Sequence, residues 1–233
     1  MTIIKPVRGI FFDLGWTIFR PATGDWRITV KALEYINPQI LWSIPQDKLN
    51  TVISKANEYV KNEIYKTENE ELERYINYYK TIAEMLPEID ITYEQAEIIA
   101  YDRVYNDSNY VFFDNTKKTI RGLKEKYKIG VISDTDPSIK RVLKNAGIYD
   151  YFDTMTLSFE LGETKPSLGM FRHALEAMNL PAIETVFIDD YEKNLDSAST
   201  LGIQSILILS RPNSDETTKH LNIKKFSDLL LYL

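Results

Sequence analysis

Two rhythms of apolar and polar residues divide the chain. From about residue 20 to 111 the apolar positions recur at helical spacing. Leu49, Val52, Ile53, Ala56, Tyr59 and Val60 share one face, with Pro45 suited to a first helical position. Leu72, Tyr75, Ile76, Tyr79, Ile82, Ala83 and Leu86 repeat the spacing in a longer helix that Pro87 stops. Ala96, Ile99, Ala100 and Val104 line the inner side of a third, capped by Thr92. A further helix is predicted over Trp26 to Ile36, capped by Asp25 and ended by Asn37-Pro38.

Outside that block, short apolar runs alternate with helical segments. Ile10 to Phe12, Ile129 to Ser133, Thr154 to Leu157, Thr185 to Ile188 and Gln204 to Leu209 are predicted strands. Between them lie helices over Thr116 to Tyr127, Pro137 to Asn145, Leu168 to Met178 and Glu192 to Leu201. Alternation of this kind predicts a parallel sheet with helices on both faces. The expectation is therefore a three-layer α/β core from residues 1–19 and 112–233, with a helical domain inserted at 20–111.

Composition narrows the chemistry. Hydrophobic residues are 44% and charged residues 27% of 233, as in ordinary globular proteins. The net charge of -6 argues against nucleic-acid binding, which needs a basic face. With 0 Cys there can be no disulfide, zinc thiolate or cysteine nucleophile. The 2 His lie far apart, which disfavours a Ser-His-Asp triad. No apolar run approaches the ~20 residues of a membrane span. Met1 to Pro6 lacks the apolar core of a signal peptide, so a cytoplasmic location is expected. The many Tyr and Trp of the helical block, such as Trp42, Tyr78 and Tyr79, are expected to pack.

Four stretches at or beyond strand ends carry reactive groups. Asp13 follows Ile10-Phe11-Phe12, where open α/β sheets place ligands, although a carboxylate there could also cap a turn. Ser133 ends a strand and is followed by turn N–H groups, a phosphate-type anion site; Asp136 fits the next helix cap better. Lys165, before Pro166, could supply a fixed cation or could simply be solvated. Asp189 and Asp190 form a carboxylate pair that suits Mg²⁺ or, alternatively, caps the helix starting at Glu192.

In this order, Phe12-Asp13-Leu14-Gly15-Trp16-Thr17, Val131-Ile132-Ser133-Asp134, Gly162 to Pro166 and Ile188-Asp189-Asp190 with Asn194 resemble the haloacid dehalogenase superfamily. The resemblance implies a Rossmann-like core, a helical cap, Mg²⁺ as cofactor and a small phosphorylated substrate. By the same resemblance Asp13 corresponds to the nucleophile, and Lys165 to the residue balancing its charge. Ser133, the Asp134 N–H and Thr17 correspond to phosphate-binding positions. Asp13, the Gly15 carbonyl, Asp190 and Asp189 correspond to metal ligands.

One position departs from the pattern. The family's phosphatases carry a second Asp as general acid and base where this chain has Gly15, and Trp16 follows where a small residue is usual. The loss expected from missing proton transfer is on the order of 10²–10⁴ in rate. Three functions are compatible with this set: a Mg²⁺-dependent phosphohydrolase, with Asp25 one candidate proton source; a 2-haloacid dehalogenase, which needs no general acid; and a silent binding or regulatory protein. No motif in 20–111 identifies the substrate or an oligomeric state.

Overall fold

A computed structural model describes residues 2–61 and 64–233. The chain divides into two compact units, one of 1–20 and 112–233, the other of 21–111. The first strand, β1 (Gly9–Phe12), is followed by β2 (Phe19–Pro21). The helices α1 (Pro38–Ser43), α2 (Gln46–Ala56), α3 (Glu58–Lys61), α4 (Glu68–Met85) and α5 (Tyr93–Tyr105) then succeed one another without a strand. After β3 (Tyr110–Phe112) come α6 (Thr116–Lys124), β4 (Lys128–Ser133), α7 (Ile139–Asn145), β5 (Thr154–Leu157) and α8 (Ser158–Leu161). The chain ends with α9 (Leu168–Met178), β6 (Thr185–Asp189), α10 (Glu192–Thr200), β7 (Gln204–Ile208), β8 (Leu221–Ile223) and α11 (Leu229–Tyr232).

Six strands form one sheet in the order β5-β4-β1-β6-β7-β8, every neighbour parallel. β1 is central and all of its residues are buried. Successive side chains of a strand point to opposite faces, so a strand covered on both sides is apolar throughout. Phe11 joins Met170, Phe171, Ala174, Phe187 and Leu195 on one face. Phe12 packs against Phe226, ring centroids 5.3 Å apart. β4 and β6 flank β1, pairing Phe12 with Val131 on one side and Ile188 on the other. The chain therefore leaves β1 in opposite directions, and such a switch point is where open α/β sheets hold ligands.

Side chains from β5, β1 and α9 close over Gly130 of β4 and leave no room for a Cβ. A Cβ on Gly130 would lie 2.5 Å from Thr154 Oγ1 and 2.8 Å from Phe11 Cδ1. Gly130→Ala is therefore expected to destabilise by about 1–3 kcal/mol, as overpacked cores do, read as a lower midpoint in urea unfolding.

The unit of 21–111 has its own apolar cluster, in which Val52, Tyr79, Ile82, Leu86, Ile99 and Ala100 are buried. Thr67 and Thr92 each complete a capping box, with Glu70 and Gln95. Tyr78 and Tyr79 pack edge to face at 5.1 Å, as expected of the aromatic residues, but Trp42 is 78% exposed.

Some local expectations fail for identifiable reasons. The helix foreseen at Trp26 to Ile36 is only a 3-10 turn at Lys31–Glu34. Asp25 caps nothing there; its carboxylate accepts from the Arg27 N–H and guanidinium. Asn37-Pro38 starts a helix where a stop was expected, because Asn37 accepts from Gln39 N–H and Pro38 takes the first turn. The cap of α7 falls at Ser138, without a side-chain cap bond, and not at Asp136.

Candidate active site

The strand ends of the parallel sheet bring the expected residues together. Asp13 directly follows β1, and its N–H donates to the Ile188 carbonyl of β6 at 2.9 Å. The loop behind it is tight. Leu14 O accepts from the N–H groups of Thr17, Ile18 and Phe19, and Trp16 N–H donates to Phe19 O at 2.6 Å. This closure places Trp16 at φ 59, a left-handed conformation that is costly for a bulky residue. Trp16 is nonetheless buried, and its carbonyl accepts from Ser210 Oγ.

Asp13 Oδ1 accepts from Ser133 Oγ at 3.0 Å and from Lys165 Nζ at 2.6 Å. Its Oδ2 takes a long contact from Thr17 Oγ1 at 3.4 Å. Ser133 thus faces Asp13 and does not cap a helix. Asp134, beyond the strand end, is exposed, and its Oδ1 accepts from Lys165 N–H at 2.9 Å. That bond fixes the Lys165 loop to the end of β4.

Lys165 is not a solvated loop residue. Its side chain is 3% exposed and its ammonium also donates to Asp189 Oδ2 at 2.7 Å. Burial works against that charge, but Asp13, Asp189 and Asp134 outweigh it and hold the pKa above its ordinary value.

Asp189 is buried with both oxygens occupied. Oδ1 accepts from Tyr191 N–H at 2.7 Å, a bond within the turn before α10. The helix cap itself is Tyr191, which has no side-chain cap bond, so the pair does not cap the helix. Oδ2 accepts from Lys165 and from Asn194 Nδ2, the latter at 3.0 Å. Asp190 Oδ2 accepts from the guanidinium of Arg211. Carboxylate oxygens of Asp13, Asp189 and Asp190 lie within 4.8 Å of one another, and all three residues are buried. Burial pushes the Asp189 carboxyl above the usual carboxylate range, against the pull of Lys165. Burial, then the charges of Asp13 and Asp189, pushes Asp190 up as well. A cluster this short of positive charge fits a hard divalent cation with oxygen ligands.

Asp25, the alternative proton source, lies in the other unit. Although burial acts to raise it, bonding to Arg27 holds its carboxyl below the usual value. A carboxyl so held is a poor acid near neutral pH.

Two residues escaped the sequence reading, Ser210 and Arg211. They follow β7, so the strand-end rule that found Asp13 and Ser133 could have found them too.

Among the described residues no helix is long and apolar enough to cross a membrane. A family model described as haloacid dehalogenase-like hydrolase matches residues 46–208 of 233. The glyceraldehyde 3-phosphate phosphatase of Methanocaldococcus jannaschii is 35% identical over 107 residues, 44% of this chain and 46% of that protein. The chain spans half or less of the length of the first curated relatives it matches. Among solved structures, 2-haloacid dehalogenase of Pseudomonas syringae pv. Tomato superposes with a TM-score of 0.61 at 18% identity, over 97% of this chain and 98% of that one. The HAD-hydrolase YfnB of Bacillus subtilis, solved bound to magnesium, gives 0.66 at 14% identity, over 97% and 98%. At such identities the superpositions show a shared fold and no more. The family match covers well over half of the chain, and with this fold it identifies the protein as a member of the haloacid dehalogenase-like hydrolases.

Proposed function

We propose that the protein is a phosphohydrolase for a small phosphorylated metabolite, working through an aspartyl-phosphate on Asp13 with Mg²⁺ as cofactor. The observation that carries this reading is the buried set of Asp13, Asp189 and Asp190 beside Lys165. Asp13 and Asp190, with the Gly15 carbonyl, would hold the cation. Asp189 supports them, since its oxygens are already taken by Lys165, Asn194 and Tyr191. When bound, the cation would supply positive charge to the phosphoryl oxygens. The name of the archaeal phosphatase relative points to the same substrate class. The helical unit of 21–111 is assigned the role of the family's cap.

The chain's own groups divide the work. Asp13 Oδ2, whose one contact among the described residues is the long one from Thr17, attacks phosphorus. Ser133 and Lys165 hold Oδ1 and thereby orient the carboxylate. The ester P–O bond breaks and its electron pair leaves with the alcohol oxygen, which takes a proton from water. Water then attacks phosphorus, and the P–O bond to Asp13 breaks with its electron pair returning to the carboxylate. Inorganic phosphate leaves, and the proton given up neutralises the hydroxide left by the first step. Ser133, the Asp134 N–H and Thr17 are the positions expected to meet phosphoryl oxygens. Lys165 offsets the charge that develops there.

Purified protein should release phosphate from an aryl phosphate with Mg²⁺ and lose that activity in EDTA. Mg²⁺ should also raise the melting temperature; saturation at 100 times Kd corresponds to about 2.7 kcal/mol. A melting curve unmoved by millimolar Mg²⁺ would remove the metal from this reading. Gly15 is the observation that favours a second reading, halide displacement at carbon, which needs no general acid. Chloride release from 2-chloropropionate without Mg²⁺ would establish it.

A further inference from the structure

Lys165 cannot serve all three buried carboxylates. Its ammonium is committed to Asp13 and Asp189, and its side chain is enclosed. Asp190 has a different counter-ion, Arg211, whose Nε donates to Asp190 Oδ2. The two partners differ sharply in environment. The Asp190 side chain is 2% exposed, whereas that of Arg211 is 47% exposed. The guanidinium therefore reaches a buried carboxylate from the solvent side.

The segment that carries Arg211 is anchored on either side of it. Ser210 Oγ donates to the Trp16 carbonyl in the loop behind Asp13. Arg211 O accepts from Ser214 Oγ at 2.9 Å and from Ser214 N–H. The guanidinium carbon lies 5.8 Å from the centre of the Tyr191 ring, next to Asp190 in sequence. The backbone is thus fixed while the long, half-exposed side chain has room to leave.

We propose that Arg211 is a tethered cation that holds Asp190 in the metal-free site and must be displaced when a divalent cation takes that carboxylate, so that it sets the metal affinity. This rests on the reading of Asp13 and Asp190 as metal ligands. Two cations on one carboxylate repel, and the guanidinium, on a long side chain already 47% exposed, can swing into water while its backbone stays anchored. Arg suits the role because it stays charged at every physiological pH and bonds a carboxylate through a planar fork. Its departure costs little packing, because nearly half of the side chain is already in solvent.

The test is calorimetric titration of the full chain with Mg²⁺, without substrate, in the wild type, Arg211→Gln and Arg211→Lys. Arg211→Gln should bind Mg²⁺ roughly tenfold more tightly, with Arg211→Lys between the two. Metal-free Arg211→Gln should melt below the wild type, since Asp190 loses its partner, and the deficit should close at saturating Mg²⁺. Equal or weaker Mg²⁺ binding by Arg211→Gln overturns the proposal. If the wild type binds Mg²⁺ and Asp190→Asn does not, while Arg211→Gln is unchanged, the metal site stands and only the displacement falls. If neither the wild type nor Arg211→Gln binds Mg²⁺, both readings fall together.

Discussion

Asp13→Asn is expected to lower phosphate release by a factor on the order of 10⁴ or more, to the limit of detection with an aryl phosphate and Mg²⁺. The change is nearly isosteric, so Ser133 keeps an acceptor at the Oδ1 position. What disappears is the negative oxygen that attacks phosphorus, and an amide oxygen is a far weaker nucleophile. The variant should fold. It removes a charge from a cluster in which burial and mutual repulsion already push Asp189 and Asp190 upward. A melting temperature close to that of the wild type would locate the loss in the chemistry. Equal activity of the two proteins would remove Asp13 from the mechanism, and the aspartyl-phosphate with it.

The residues that meet at the candidate site were legible because one rule governs most of them. Open parallel sheets hold ligands at their carboxyl edge, and Asp13, Ser133 and Asp190 each end or follow a strand that the apolar runs mark plainly. Lys165 was harder. A lysine before a proline in a loop gives no sign of burial; its enclosure comes from Asp13 and Asp189, 152 and 24 residues away. Arg211 stands beyond a strand end like the others, but its pairing with Asp190 was not readable from the sequence. Its partner is on another loop, and its own surroundings, Ser210 to Ser214, look like an ordinary polar turn.

The same division holds for the fold. Helices with wide apolar faces, α4 and α5, were readable to within a few residues, although the Thr67 cap of α4 was not read as the Thr92 cap of α5 was. The strand β8 was not, since Leu221-Asn222-Ile223 is too short to show a period. Asn37-Pro38 failed because an Asn before a Pro serves equally as a helix stop or start, and the deciding bond to Gln39 N–H cannot be read from the pair.

Gly15→Asp should raise turnover by about 10²–10⁴ if residue 15 stands beside the leaving group as it does in the family's phosphatases. The backbone permits the change. The left-handed position in this loop is Trp16, and Gly15 is not among the residues of positive φ. The gain should depend on the leaving group. A nitrophenolate departs without a proton, so an aryl phosphate should show little improvement. An alkyl phosphate leaves as an alkoxide, which needs a proton as the P–O bond breaks, and should show the full effect. The alkyl rate should also fall as pH rises past the pKa of the introduced carboxyl, because only its protonated form can act as the acid. Equal rates for the variant and the wild type on both substrates would mean that residue 15 does not reach the ester oxygen. The absence of a side chain at Gly15 would then fit the carbon-displacement reading better than a phosphatase.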